Sequence, residues 1–221
     1  LTMGKTLEPL LGLDLYTIIF IVAIISGIYI TFGGQTAVIF TDLAQGFILI
    51  FAGILIFLMG VNYVGGFSAF WNALSPEFKL PLAHFNHPAN FNFVGIFWQD
   101  GVAGSVGFLF MNQGLIMRFM ACKSVHEGRK AAAFNVLVLL PISTIVVSNA
   151  GWTGKAISIV TPEAWNAATK LDHVFTQVAY LITGSEVVFA FVIAAVAAAL
   201  MSTVDTLINA VAAVVINDVY R

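Results

Sequence analysis

Residues 15–61 read LYTIIFIVAIISGIYITFGGQTAVIFTDLAQGFILIFAGILIFLMGV, and they form two apolar runs joined by the pair Gly33–Gly34. Each run is long enough to cross a hydrocarbon core of about 30 Å as a helix. The glycine pair favours a tight turn because neither residue carries a Cβ atom that could clash. The stretch therefore predicts two membrane spans, over residues 15–32 and 35–61.

The composition of the whole chain is typical of a protein that lies in lipid. Of its 221 residues, 60% are hydrophobic and 9% are charged, whereas a soluble domain carries about 25% charged residues. A formal net charge of -2 leaves no basic surface for nucleic acid. The single cysteine, Cys122, excludes an internal disulfide. We therefore expect an integral membrane protein of the all-α class, and nucleic acid is excluded as a partner.

The same criterion of length and hydropathy predicts three further spans and two polar connectors. The spans are residues 101–122, 131–149 and 187–219, and the connectors are residues 63–100 and 151–184. Positive residues concentrate in cytoplasmic loops. The junction of the third and fourth spans is therefore predicted to be cytoplasmic, because it carries Arg118, Lys123, Arg129 and Lys130. The two connectors lie one span away on either side of it, so they are predicted to lie outside. The prediction is a single membrane domain over residues 1–221, a polytopic bundle of about five helices in the plasma or inner membrane.

The first residues of the chain show no secretory signal. The chain begins at Leu1 and lacks the basic stretch, short apolar run and small-residue cleavage site of a secretory signal. It stops at Arg221, where a long apolar stretch ends. We therefore expect an internal piece of a longer protein.

Two carboxylates lie inside predicted spans, Asp42 in the second and Asp205 in the fifth. A lone carboxylate facing lipid is costly, so each needs a partner or a function. Residues three and four apart share a helix face. The face that carries Asp205 is small and rich in oxygen, with Ala199, Ser202, Thr203, Thr206 and Asn209. Because hard cations bind hydroxyl, carbonyl and carboxylate oxygens, this face predicts a sodium site.

Structural roles are the alternative for several of these residues. Small and hydroxyl residues also mediate close helix packing, and a hydroxyl can bond to the carbonyl one turn earlier. For Ser202 or Thr203 taken alone, packing is the preferred interpretation, and Arg118 is an alternative partner for Asp42. Neither packing nor back-bonding explains an unpaired carboxylate at this depth, whereas a bound cation or a shared proton does.

Three short motifs occur in order along the chain. Residues 33–45 read GGQTAVIFTDLAQ, Asn112–Gln113 precede Arg118, and residues 199–206 read ALMSTVDT, with NDVYR following at 217–221. Together they resemble the signatures of the solute:sodium symporters, the family of the sodium/proline and sodium/galactose transporters. The resemblance implies a LeuT-like fold of two inverted five-helix repeats, in which these spans are the fourth to eighth helices.

The resemblance also implies which residues bind ions and solute. The main sodium site would use the backbone carbonyl of Ala199 and the side chains of Ser202 and Thr203. A second site, for a cation or a proton, would use Asp42, Ser202, Asp205 and Thr206. Asn112 is a candidate for the substrate cavity, because its helix lines the cavity in relatives.

The chain departs from the family pattern at two of these positions. Asp205 stands where the best-known sugar and sialic-acid relatives have a hydroxyl, and the extra carboxylate could strengthen the second cation site or make it carry a proton. Met117 stands where many relatives have a glutamine, so their substrate contacts at this position are not expected here.

The predicted function is a sodium-coupled secondary active symporter that imports a small polar solute by alternating access. The solute classes that the resemblance implies are sugars, amino acids, carboxylates and vitamins. The alternatives are a proton-coupled transporter and a membrane-embedded sensor with a transporter-like domain. No hydrolytic triad or phosphate-binding glycine loop occurs, and His84 and His87 lack a third ligand. We therefore expect no enzyme activity, no organic cofactor and no transition metal, with sodium as the coupling ion.

Overall fold

The computed structural model describes residues 2–79, 93–166 and 173–220. Within these ranges all regular structure is helical, with no strand. The helices are, in chain order, α1 (Thr2–Leu11), α2 (Leu15–Tyr63), α3 (Phe67–Ala73), α4 (Phe93–Ile96), α5 (Ser105–Met111), α6 (Gln113–Met120), α7 (Val125–Phe134), α8 (Leu140–Val160), α9 (Val174–Ile182) and α10 (Glu186–Val214). A 3₁₀ helix covers Pro76–Lys79, and π-helical segments cover Phe97–Gly104, Asn135–Leu139 and Val215–Val219.

Three helical segments of the described ranges are long and apolar enough to cross a membrane. They are Leu15–Tyr63, Val125–Val160 and Glu186–Val219, of 49, 36 and 34 residues. They fit the predicted membrane helix bundle. The number of five spans and the LeuT-like fold remain predictions. His84 and His87, and with them part of the connector predicted over residues 63–100, lie outside the described residues.

The chain forms two compact units, one of Leu1–Ala73 with Phe134–Arg221 and one of Leu74–Ala133. In the first unit, α10 packs mainly against α2, and α2 also packs against α8. Leu7, Ile18, Val22 and Leu200 form a buried apolar cluster that joins α1, α2 and α10. These helices position every candidate ion-binding residue, because Asp42 lies on α2 and the other candidates lie on α10.

Helix α2 begins at a side-chain cap. Asp14 Oδ2 accepts a hydrogen bond of 3.0 Å from the backbone N–H of Thr17, and the Thr17 hydroxyl donates one of 2.6 Å to Asp14 Oδ1. The first turn of a helix leaves backbone N–H groups without partners, and this carboxylate satisfies one of them. The Thr17 hydroxyl, followed by the Thr17 backbone N–H, lowers the pKa of the Asp14 carboxyl below its usual value.

The direction of the chain reverses inside α2, at Gly34. Its backbone angles, φ 58° and ψ -155°, are not helical and are open to glycine almost alone. Before this residue, α2 and α10 run in the same direction. Ile18 packs in the cluster with Leu200. Tyr29, later in α2, bonds to Asp205, which is later in α10.

After Gly34 the order of contacts is opposite. Gln35 bonds to Asn209, and Asp42, later in α2, bonds to Ser202, earlier in α10. We call residues 15–33 the first arm of α2 and residues 35–63 the second arm. The two arms therefore run in opposite directions along α10, and both contact it.

The second arm packs closely against α8 through its glycines. A Cβ atom on Gly53 would collide with Val146, and one on Gly60 would collide with Thr153. Small residues let membrane helices approach in this way. The buried Asn149 side chain on α8 also donates a hydrogen bond of 2.7 Å to the Gly53 carbonyl.

Helix α8 extends further than the predicted span over residues 131–149. It continues to Val160, so the first part of the connector predicted over residues 151–184 is helical. Gly154 lies within this extension, where a Cβ atom would press on Trp165 and Val178. Gly154 therefore allows close packing within a continuing helix rather than ending it.

The second unit contains the segment predicted as one span over residues 101–122. The structure divides it at Asn112, where the backbone is extended, with φ -83° and ψ 103°, between α5 and α6. The Asn112 side chain accepts a hydrogen bond of 3.0 Å from the backbone N–H of Leu115, which caps α6. An asparagine favours such a break because its side chain satisfies an N–H that a continuous helix would bond internally.

Candidate functional site

The oxygen-rich stripe of α10 is partly bonded to itself. The Thr203 hydroxyl donates to the Ala199 carbonyl at 3.2 Å, and the Thr206 hydroxyl donates to the Ser202 carbonyl at 2.9 Å. Ala199 and Ser202 are half-buried, whereas Thr203 is exposed. Both carbonyls lie inside α10, where the backbone N–H four residues further on also donates to them, so the hydroxyl is a second donor to an oxygen that has two lone pairs. The back-bonding considered from the sequence therefore occurs, and a cation at either carbonyl would replace the hydroxyl there as its partner.

The Ser202 side chain is bonded differently from its neighbours. It donates a hydrogen bond of 2.5 Å to Asp42 Oδ1 on the second arm of α2. Hydrogen bonds to an ionised group are short and contribute about 1.5–3 kcal/mol. The structure therefore brings together two residues predicted from separate motifs, a carboxylate and a hydroxyl on different helices. Thr41 takes no part, because its hydroxyl donates to the Ala37 carbonyl of its own helix at 2.9 Å.

Asp205 lies on the same helix as Ser202 and has different partners. Its side chain is fully buried, and Oδ2 accepts a hydrogen bond from the Tyr29 hydroxyl on the first arm. The Ser26 side chain, also fully buried, lies beside the carboxylate. Among the described residues Asp205 Oδ1 and Ser26 Oγ make no hydrogen bond to any third group, and the Ser26 hydroxyl is placed to donate to the carboxylate. The sequence prediction placed Asp42 and Asp205 in one site. In the structure Asp42, on the second arm of α2, accepts from Ser202 of α10, and Asp205 of α10 accepts from Tyr29 of the first arm.

Ser26 and Tyr29 are polar residues of this region that the sequence prediction did not include. They lie three residues apart in the first predicted span, a spacing that places them on one helix face. That spacing was the available signal. Their link to Asp205 depends on how the first arm is aligned with α10, which local sequence does not determine.

A second side-chain pair joins the same helices near the turn at Gly34. The Asn209 side-chain amide donates to Gln35 Oε1. Both residues are half-buried. The pair ties the start of the second arm to α10, so it fixes the alignment in which Asp42 meets Ser202.

Asn112, the candidate for the substrate cavity, lies in the other unit. It is half-buried at the junction of α5 and α6, and its Oδ1 atom is engaged in the cap of α6. The side-chain NH₂ group is a separate donor. Asn112 could therefore present an amide N–H and the backbone groups of a broken helix to a polar solute.

A cavity of about 300 Å³ lies within the first unit, among α2, α8, α9 and α10. Its lining is apolar and includes Ile56, Val146, Phe175, Val192 and Ala199. A polar solute needs several placed hydrogen-bonding groups, and these side chains offer none. The cavity therefore does not match the predicted substrate site.

The donor set around Ser202 fits sodium and does not fit a transition metal. Asp42 supplies a carboxylate, Ser202 and Thr203 supply hydroxyls, and Ala199 supplies a carbonyl, so every candidate ligand is an oxygen. Hard cations prefer oxygen, whereas transition metals favour nitrogen and sulfur. In the part of the chain that the structure describes, no group of three or more His, Cys, Asp and Glu residues is arranged to hold a metal.

Comparison with known proteins gives one family. The family model described as "Sodium:solute symporter family" matches residues 1–221. The chain is 27% identical to a sodium/glucose cotransporter of Vibrio parahaemolyticus, a match that covers 99% of this chain and 43% of the relative. It is 29% identical to a sodium/pantothenate symporter of Haemophilus influenzae, over 98% of this chain and 43% of the relative.

A third relative is an osmoregulated proline transporter of Bacillus subtilis, 26% identical over 99% of this chain and 42% of its own length. The chain therefore spans less than half the length of the curated relatives it matches. These relatives are transporters and not enzymes. No solved structure matches the chain significantly.

Proposed function

Because the chain belongs to the sodium:solute symporter family, we propose that it carries the sodium-binding part of a secondary active symporter that imports a small polar solute. The family and the three apolar helices make it a membrane protein. The observation that carries the proposal is the 2.5 Å hydrogen bond between Ser202 and Asp42. It places a hydroxyl and a carboxylate together where α10 meets the second arm of α2.

The main sodium site in this proposal consists of the Ala199 carbonyl and the hydroxyls of Ser202 and Thr203. The exposure of Thr203 is compatible with this assignment, because its hydroxyl lies on the surface of α10, where a ligand can reach it. The spacing of Ala199 and Thr203 brings the two oxygens within 3.2 Å of each other. Sodium, when bound, supplies a positive charge on the α10 surface.

The second site, for a cation or a proton, consists of Asp42, Ser202, Asp205 and Thr206. A carboxylate inside a membrane span is stabilised when a cation or hydrogen-bond donors face it. Ser202 donates to Asp42, and the Thr206 hydroxyl lies one turn further along α10, where it is bonded to the Ser202 carbonyl. Ser202 therefore takes part in both sites, which makes it the central residue of the proposal.

The proposed mechanism is alternating access driven by differential affinity. Asp42 lies on α2 and Ser202 on α10, so an ion held by both residues favours the state in which these helices are together. A ligand shifts a conformational equilibrium only by the difference between its affinities for the two states. Solute that binds the sodium-loaded state better then favours occlusion and release on the cytoplasmic side.

The proposed solute is a small polar molecule such as a sugar, amino acid, carboxylate or vitamin, bound at a site that includes Asn112. The relatives named above are transporters of glucose, pantothenate and proline by their names. The break between α5 and α6 supports a role for Asn112, because discontinuous helices present unbonded backbone groups to substrates in transporters.

Uptake by the purified full-length protein in liposomes tests the proposal. Radiolabelled solutes of the four classes are offered with an inward sodium gradient, and again with sodium omitted at the same pH and with a proton gradient. We expect one class to accumulate only with the sodium gradient. Accumulation driven by the proton gradient alone, or the absence of transport of any class, would contradict it.

A further inference from the structure

Basic side chains gather where α6 meets α7, away from the proposed ion and solute sites. Arg118 lies in the last turn of α6, Lys123 precedes α7, and Arg129 and Lys130 lie on α7. Lys123, Arg129 and Lys130 are exposed. We call residues 118–130 the basic junction. It lies wholly within the second unit of the structure.

The positive charge of the basic junction is only partly balanced. Glu127 is its one acidic residue. The Glu127 carboxylate pairs with Lys130 Nζ at 3.0 Å, and both side chains are more than half exposed. An exposed ion pair of this kind is weak, because water and salt screen it. The basic junction therefore presents net positive charge, to which Lys123 and Arg129 contribute most directly.

Exposed apolar side chains border these charges. Met120 and Val125 are 78% and 75% exposed, and Phe119 is 37% exposed. Val125 and Arg129 are four residues apart on α7, so they share a helix face. Phe119 and Met120 end α6 within four residues of Lys123. Apolar side chains beside basic ones suit the boundary of a bilayer, where the first contact acyl chains and the second reach headgroups.

The basic junction also borders a segment that can cross the membrane. Residues Val125–Val160 form a helical segment of 36 residues that is long and apolar enough to span. Its charged residues are Glu127, Arg129 and Lys130 near the start and Lys155 near the end. About 20 residues cross a hydrocarbon core, so the uncharged stretch over residues 131–154 is sufficient to span it. Arg129 and Lys130 therefore come directly before the spanning stretch, at the level of the headgroups.

We propose that the basic junction binds the phosphate headgroup of an anionic phospholipid, with Lys123 and Arg129 as the main contacts. A guanidinium group can bond two phosphate oxygens at once, and an ammonium group adds a compact positive charge. Basic residues next to a spanning helix attract anionic lipids in this way. The exposed side chains of Phe119 and Met120 favour a lipid over a free phosphate ion, because they offer contact to its acyl chains.

This inference does not depend on sodium binding or on transport. The bound lipid would hold the turn between α6 and α7 at the membrane surface. Phosphatidylglycerol is a suitable probe, because its headgroup carries a net negative charge. Phosphatidylcholine with the same acyl chains is the matched neutral lipid.

Native mass spectrometry of the purified full-length protein, freed of lipid in detergent, tests the inference by resolving each bound lipid during a titration. The test variant is the double substitution Lys123→Gln and Arg129→Gln. The matched control is the double substitution Lys5→Gln and Lys155→Gln, which also removes two exposed positive charges. The two variants therefore have equal net charge and differ in where the charge was removed.

We expect the parent and the control to bind phosphatidylglycerol with a Kd at least about fivefold below that of phosphatidylcholine. The test variant should lose this preference, and higher salt should weaken it in the parent. Inorganic phosphate at the concentration of the lipid should not displace it, because phosphate has no acyl chains. A preference that survives in the test variant, an equal loss in the control, or displacement by inorganic phosphate would overturn the inference.

Discussion

The hydroxyl of Ser202 on α10 donates a hydrogen bond of 2.5 Å to the carboxylate of Asp42 on the second arm of α2. The two residues are separated by 160 positions in the sequence. The turn at Gly34 reverses the chain so that the second arm returns along α10 and brings Asp42 to this position. The relationship therefore depends on one glycine, one carboxylate and one hydroxyl, and each can be changed separately.

Replacing Ser202 with alanine removes a ligand of both proposed sodium sites. We expect the sodium concentration for half-maximal solute uptake by Ser202→Ala to rise at least about tenfold, equivalent to about 1.4 kcal/mol. Uptake in liposomes at varied sodium concentration measures it. Ser143→Ala is the matched control, since that hydroxyl is exposed and bonds to its own helix at the Leu140 carbonyl. Unchanged sodium dependence in Ser202→Ala would remove the basis for the assignment.

Replacing Asp42 with asparagine separates charge from hydrogen bonding. The asparagine oxygen can still accept from Ser202, so we expect thermal stability in detergent to change little, while sodium activation of uptake is lost because the negative charge is gone. Asp42→Leu removes the acceptor as well and should lower stability, because a charge-assisted hydrogen bond contributes about 1.5–3 kcal/mol. Sodium activation that survives in Asp42→Asn would show that the carboxylate does not hold the ion.

Gly34 holds the turn between the two arms. Its φ of 58° with ψ of -155° lies in a region where a side chain costs about 1–3 kcal/mol. We expect Gly34→Ala to lower the melting temperature of the purified protein and to weaken sodium binding, since the arms would no longer align. Gly27→Ala is the control, because this residue lies in the helical first arm with open space around its Cβ position. Equal melting temperatures for the two variants would contradict the role of the turn.

The packing of the second arm against α8 depends on Gly60. A Cβ atom there would collide with the Thr153 side chain, and overpacking of this kind costs about 1–3 kcal/mol. We therefore expect Gly60→Ala to be less stable than Gly46→Ala, in which the added methyl group meets no atom within 4 Å. Thermal unfolding in detergent compares the two variants. Gly46→Ala being the less stable variant would refute the close approach of the helices.

The cap of α2 predicts a dependence of stability on pH. Hydrogen bonds from the Thr17 hydroxyl and the Thr17 backbone N–H lower the pKa of Asp14 in the folded protein. The cap therefore adds stability above the unfolded-state pKa of about 3.9, and this contribution is lost as the pH falls through the lower folded-state value. We expect Asp14→Ala to melt below the parent at neutral pH and the difference to shrink in acid. A difference that grows in acid would have the wrong sign.

The sequence indicated individual ion-binding candidates better than their partners. Ser202 and Asp205 could be found because helical spacing groups them on one face, and Asp42 because a carboxylate in an apolar run is rare. The separation of Asp42 and Asp205 into different pairs could not be found, since it follows from the alignment of both α2 arms with α10. Ser26 and Tyr29 were missed for the same reason.

The boundaries of the helices show the same limit of local information. The prediction ended the fourth span at Asn149, before the more polar segment that follows, while α8 continues to Val160. Asn112 lies in an apolar run of spanning length, yet its side chain caps α6 and interrupts the helix. Both outcomes depend on which backbone or side-chain groups lie nearby in the folded protein.

The most direct test of the account is saturable binding of radioactive sodium to the purified full-length protein, measured in the parent, Ser202→Ala, Asp42→Asn and the control Ser143→Ala. The account predicts saturable binding in the parent and in the control, and binding weakened at least about tenfold in the other two variants. Binding of equal affinity in all four proteins would contradict a sodium site at Ser202 and Asp42, and so would the absence of saturable binding in a folded parent.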